Sequence, residues 1–134
     1  MFKLDHIAIS VVSASETIKF YQALDFVVTA SYESEDKSLR IFTLKDKDGG
    51  ILELLNYTES FPAPEHTHTV NTDLPVIGVK QFGLCVDSIT NALKTLQEKG
   101  FAGETTINKG RLGRDWFFIK DPNGILLEII ETNS

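Results

Sequence analysis

Cysteine, methionine and tryptophan each occur once in this 134-residue chain, and proline only four times. A lone cysteine, Cys85, excludes an internal disulfide framework. It lies in an apolar segment and reads as a buried, inert thiol. No apolar run approaches the roughly 20 residues of a membrane span. A basic region followed by a long apolar stretch is missing from the N-terminus, because Ile7 to Val12 is broken by Ser10 and reads as a strand. The expectation is a cytoplasmic protein with no membrane partner. An excess of positive charge is also lacking. The net charge of −6 argues against nucleic acid as a main partner, although Lys109, Arg111 and Arg114 cluster in one short segment.

What the chain does contain is a repeat. Aligned with itself at a shift of 75 residues, it matches without a gap at eleven identical positions of 59, where unrelated sequences would give roughly three or four. The identities run from Val11/Val86 and Ser13/Ser88 to Asp46/Asp121, Gly49/Gly124, Leu52/Leu127 and Glu53/Glu128. Apolar positions coincide as well, as at Ile7/Phe82, Ile9/Leu84 and Leu54/Ile129. An internal duplication accounts for both patterns, with a first module over 1–59, a linker over 60–75 and a second module over 76–134.

Each copy reads as strand, helix, then three strands, which makes the fold class α+β with two βαβββ modules. In the first copy, Leu4 to Val12 alternates, with Ile7, Ile9 and Val11 on one face and His6, Ala8 and Ser10 on the other. Ser13 and Glu16 form a capping-box start for a helix presenting Ala14, Ile18, Tyr21 and Leu24. Strands follow at Phe26 to Glu33, Leu39 to Lys45 and Ile51 to Tyr57. The second copy predicts strands at Gln81 to Val86, Phe101 to Asn108, Asp115 to Lys120 and Ile125 to Glu131. Its helix opens near Asp87 or Ser88, presents Ile89, Ala92, Leu93 and Leu96, and closes at Gly100. Asp121-Pro122-Asn123-Gly124 fits a tight turn.

Because Ile7, Ile9 and Val11 cover the helix, His6 belongs to the opposite face of the sheet. Glu53, between Leu52 and Leu54, belongs there too, and Gln81 and Glu128 stand at the same places in the second copy. A carboxylate set among apolar strand residues costs several kcal/mol unless compensated, and two on one face repel each other. A divalent cation relieves both costs. One imidazole nitrogen and three oxygens suit Ni²⁺, Co²⁺, Zn²⁺, Mn²⁺ or Fe²⁺. His66 and His68 read as residues of an exposed polar linker. Lys109, Arg111 and Arg114 read either as a solvated loop or as a rim that attracts an anionic substrate.

The segments "LDHIAISVVSASETIKFYQALDF", "GGILELL", "VKQFGLCVDSITNALKTLQEKGF" and "FFIKDPNGILLEII" resemble the vicinal oxygen chelate superfamily of glyoxalase I, extradiol dioxygenases, methylmalonyl-CoA epimerase and fosfomycin resistance proteins. The resemblance covers essentially the whole chain and implies a curved mixed sheet around a central cup. It places metal ligands at His6, Glu53, Gln81 and Glu128. Gln81, standing where dioxygenases carry a second histidine, points away from that chemistry, and the two glutamates look most like glyoxalase I. The reaction implied is that of a lyase or isomerase. A small substrate with adjacent oxygens, such as an α-ketoaldehyde–thiol hemithioacetal, would lose a proton beside a carbonyl and pass through a metal-stabilised enediolate. Glu128 is the candidate base and Glu53 the alternative by symmetry. A homodimer is implied as well. Two other readings stay open: an antibiotic-resistance thiol transferase or hydrolase, and a non-catalytic small-molecule binding protein.

Overall fold

The computed structural model describes residues 1–133. The chain divides into two compact units, Met1–Ala63 and Pro64–Ser134. The first contains β1 (Ile7–Ser10), α1 (Ala14–Gln22), β2 (Val27–Glu33), β3 (Leu39–Lys45) and β4 (Ile51–Tyr57). Its sheet order is β1-β4-β3-β2, with β1 and β4 parallel and the other pairs antiparallel. The parallel pair requires a crossover, and α1 belongs to it. Ile9, Val11, Phe20, Tyr21, Phe26, Leu44, Leu52 and Leu54 are buried. The Tyr21 ring packs edge-on against Phe20 at 5.0 Å and Phe26 at 5.8 Å, the geometry that aromatic quadrupoles favour.

The second unit opens with a 3₁₀ turn at Glu65–His68 and a short α2 (Val70–Asp73), both within the expected linker. Then come β5 (Phe82–Val86), α3 (Ile89–Glu98), β6 (Trp116–Lys120) and β7 (Leu126–Glu131). Its sheet order is β5-β7-β6, again with first and last strands parallel. The fold is therefore mixed α+β with two small mixed sheets, as the periodicity predicts.

Matched local devices build the two units. Ser13 caps α1 by accepting from the amide of Glu16, and Ser88 caps α3 by accepting from that of Asn91, each at 3.3 Å. At the end of β4, Asn56 Oδ1 accepts from the Ala14 amide, while its Nδ2 donates to the carbonyls of Val11 and Val12. At the end of β7, 75 residues on, Glu131 Oε1 accepts from the amide of Ile89. In both units the last strand thus sends an acceptor to the first helical N–H, one of the donors a helix leaves open. Asp46 Oδ1 accepts from the amides of Asp48 and Gly50, and Asp121 Oδ1 from those of Asn123 and Ile125, so the same turn joins the final strand pair twice. Both helices close with paired amide bonds over a left-handed residue. This is Asp25 (φ 70°) after α1 and Gly100 (φ 80°) after α3.

Four expectations are corrected. The strand at Phe101 to Asn108 does not form, and only Asn108 bridges to Trp116. Where β2 has Val27, Val28 and Thr29, the second copy has Ala102, Gly103 and Glu104. Gly103 takes a positive φ of 53°, and both the amide and hydroxyl of Thr105 turn back to the carbonyl of Ala102. A turn replaces the β-branched run that favours a strand. β1 covers four residues rather than Leu4 to Val12, because Asn56 takes the Val11 and Val12 carbonyls and Leu4 and Val12 are exposed. In α1, Thr17 and Phe20 are buried, whereas Ile18 and Leu24 are only half-buried. Thr17 tolerates burial because its hydroxyl donates to the Ser13 carbonyl at 2.7 Å. Finally, Cys85 is exposed rather than buried. It alternates with Leu84 and Val86 and so falls on the face away from α3.

Two measurements check this account. Asn56→Ala leaves two carbonyls and the first helical amide of α1 without this partner, and should cost about 2–4 kcal/mol in a urea titration. Gly100→Ala adds a Cβ that meets no neighbour, so its cost should be the backbone cost alone, about 1–2 kcal/mol.

Candidate functional site

In the first unit the parallel register pairs Ala8 with Glu53, and the antiparallel register pairs Thr43 with Glu53. Leu52 and Leu54 are buried on the α1 side, so alternation turns Glu53 to the other face. His6 lies two residues before Ala8 and shares that face. Its Nε2 is 3.9 Å from Glu53 Oε2, and its Nδ1 is 2.8 Å from Asp5 Oδ2. Both groups are reachable by solvent, His6 at 41 % and Glu53 at 31 % exposure. The hydrogen bond to Asp5 raises the His6 pKa above its ordinary 6.5, burial opposes it, and the charges of Glu53 and Asp5 add to the rise.

The second unit repeats the register. Gly83 and Phe118 flank Glu128 as Ala8 and Thr43 flank Glu53. Glu128 is half-buried between Leu127 and Ile129, both buried towards the helix. Among the described residues no hydrogen bond or ion pair engages the Glu128 side chain. Gln81 directly precedes β5, and its Oε1 is buried without a hydrogen-bond partner among them. An orphaned amide oxygen costs about 1–3 kcal/mol, and a cation would relieve it. The rings of Trp116 and Phe118 touch, with centroids 4.7 Å apart, on the Glu128 side of β6.

The structure thus brings His6 and Glu53 together within the first unit, and places Gln81 and Glu128 at the equivalent positions of the second. Asp5, which sequence reasoning passed over, joins the first pair. Its signal was the adjacent Asp-His dipeptide. By their chemistry the donors of each unit suit a divalent cation. The first has an imidazole held by a carboxylate on its far nitrogen beside a glutamate, and the second a glutamate with an amide oxygen lacking a partner. Among the described residues, however, no three His, Cys, Asp or Glu side chains gather into one group that could hold a metal ion.

The basic cluster separates by role. Lys109 is bound to Asp115 at 2.7 Å, and that carboxylate raises the Lys109 pKa. Arg114 Nε donates to the Glu131 carbonyl at 2.8 Å. Arg111 is exposed, with no ion pair or hydrogen bond among the described residues. In the linker, His66 lies 3.6 Å from Asp73, which Lys80 also grips at 3.1 Å, and His68 accepts from Lys120 through its carbonyl. No helix among the described residues is long and apolar enough to cross a membrane.

A family model, the Glyoxalase/Bleomycin resistance protein/Dioxygenase superfamily, matches residues 3–129. No curated protein matches the chain. Among solved structures, a glyoxalase family protein from Enterococcus faecalis superposes with a TM-score of 0.78 at 24 % identity, over 96 % of this chain and 97 % of that one. The trypanothione-dependent glyoxalase I of Leishmania major gives 0.71 at 17 %, over 98 % and 87 %. A V278E mutant of glyoxalase I from Zea mays gives 0.76 at 16 %, where 98 % of this chain covers 45 % of that one. At these identities the likeness establishes the fold.

The His6 pairings set a pH dependence. Protonated His6 favours the folded state below pH 6.5, and that contribution fades as the pH rises through the elevated midpoint. An NMR titration of the metal-free protein should place the His6 midpoint above 6.5. Glu53→Gln should lower it. A midpoint unchanged by that substitution would mean that the two side chains do not interact in solution.

Proposed function

Because the chain belongs to the glyoxalase/bleomycin resistance protein/dioxygenase superfamily, we propose that it is a metal-dependent lyase or isomerase of the glyoxalase I type. It acts on a small substrate with adjacent oxygens, such as an α-ketoaldehyde–thiol hemithioacetal. The observation that carries this reading is the repetition of one carboxylate at one register position. Glu53 and Glu128 each sit half-buried on the face away from the helix, in sheets that are otherwise built to bury apolar side chains. A cation would give each carboxylate a partner of opposite charge.

In this reading His6 and Glu53 of the first unit, and Gln81 and Glu128 of the second, are the ligands for a divalent cation. Bound there, the cation supplies Lewis acidity that polarises the substrate carbonyl. The protein's own groups divide the remaining work. Glu53 faces the imidazole of His6 at 3.9 Å and acts as an anchored ligand. Glu128, engaged by no described neighbour, is free to swing and serves as the base that takes a proton from the carbon beside the carbonyl and returns it to the adjacent one. Gly83 on one side of Glu128 adds no side chain, which leaves room for that movement. The rings of Trp116 and Phe118 on the other side give that face an apolar wall beside the transfer. Arg111, the unpaired member of its cluster, serves an anionic substituent. We further propose a homodimer acting in the cytosol. The exposed Val27, Tyr32 and Tyr57 of the first sheet supply apolar surface for the contact.

A non-catalytic binding role is the second reading, favoured by the Trp116–Phe118 pair, which would hold an apolar ligand without chemistry. Metal content by mass spectrometry separates the two. Near-stoichiometric Ni²⁺, Co²⁺, Zn²⁺, Mn²⁺ or Fe²⁺ in the purified protein, lost in a Glu53→Ala/Glu128→Ala double variant, is the expected result. No binding after incubation with these ions would favour the second reading. With metal present, Glu128→Gln should lower turnover of hemithioacetals by about 10²–10⁴-fold. Unimpaired turnover would remove Glu128 from the base role.

A further inference from the structure

We infer that Asp5 is a positioning residue: its carboxylate fixes the tautomer and orientation of His6 so that Nε2 is presented, unprotonated, beside Glu53. The inference rests on the reading of His6 as a metal ligand given above. A carboxylate accepts hydrogen bonds and donates none. With Asp5 Oδ2 at 2.8 Å from Nδ1, the neutral ring must carry its proton on Nδ1, and the lone pair falls on Nε2. That nitrogen is 3.9 Å from Glu53 Oε2, too far for a hydrogen bond between them. A carboxylate on the far nitrogen also makes an imidazole a stronger donor, and such partners set metal affinity.

The duplication supplies an internal contrast. The equivalent of Asp5 is Lys80, and the equivalent of His6 is Gln81. Lys80 Nζ is bound to the carboxylate of Asp73 at 3.1 Å and to its carbonyl at 3.0 Å. An amide has no tautomer to set, and there the neighbouring residue serves the fold instead. The carboxylate stands only where the imidazole stands. Asp5 is also 79 % exposed, and among the described residues its side chain pairs with the His6 ring alone. Removing it therefore leaves the core intact.

The test compares wild type with Asp5→Ala and Asp5→Glu. In metal-free protein, above the His6 titration midpoint, ¹⁵N NMR of the ring should show the Nδ1–H form in wild type. Asp5→Ala should shift it towards Nε2–H, and Asp5→Glu should restore it in part. Calorimetric titration with Ni²⁺ and Zn²⁺ should show affinity falling about tenfold in Asp5→Ala. A tautomer unchanged in Asp5→Ala overturns the inference, and so does a changed tautomer with unchanged affinity. Wild type that binds neither cation overturns the metal-ligand reading instead, while the tautomer comparison still decides whether Asp5 holds the ring.

Discussion

The parallel pairing of first and last strand in each unit is the constraint on which everything else depends. Parallel neighbours cannot be joined by a tight turn, so the chain must leave β1, cross over and come back to lie beside it as β4. β5 and β7 repeat the arrangement. That pairing sets residues far apart in sequence, such as His6 and Glu53, side by side on one face. It also brings the end of the last strand to the start of the helix, where Asn56 and Glu131 meet the first helical amides. The frame and the candidate site are two results of one register.

The duplication shows which parts of that frame tolerate change. Serine caps, Asx turns, the buried aliphatic residues on either side of the last strand's glutamate and that glutamate itself persist in both copies. The acceptor to the helix start persists as a role while its chemistry changes from amide to carboxylate. The helix stop persists as a backbone conformation, held by aspartate in one copy and glycine in the other, because both residues enter the left-handed region at low cost. Divergence concentrates where the copies could take on separate tasks. Asp5-His6 stands against Lys80-Gln81. Ile41 and Thr43 stand against Trp116 and Phe118, and a full edge strand stands against a glycine turn.

Much of this was legible in sequence because the signals are local. Alternation of Ile7, Ile9 and Val11 with His6, Ala8 and Ser10 assigns faces from a period of two. Ser13 and Ser88 announce helix starts through a bond to an amide three residues on. Asp46 and Asp121 announce turns within five residues. The failures came where a distant partner decides. Val12 carries a strand-forming side chain, but the Asn56 amide, more than 40 positions away, claims the carbonyls that would extend the ladder. Thr17 looks polar in a helical wheel, and its bond to the Ser13 carbonyl lets it be buried. Cys85 looks apolar by company, but the face it occupies depends on which side α3 covers.

Sequence alone determined the duplication, the α+β class, the four polar positions equivalent under a shift of 75, and the absence of a disulfide framework. These follow from composition and from periods of two and three to four residues, which act between neighbours in the chain. Tertiary structure alone decided that His6 faces Glu53 at 3.9 Å while Asp5 holds its other nitrogen. It also decided that Lys109 and Arg114 are engaged whereas Arg111 is not, and that the buried Gln81 oxygen has no described partner. The reason is that strand pairing sets distances between residues tens of positions apart, and no local period encodes those distances.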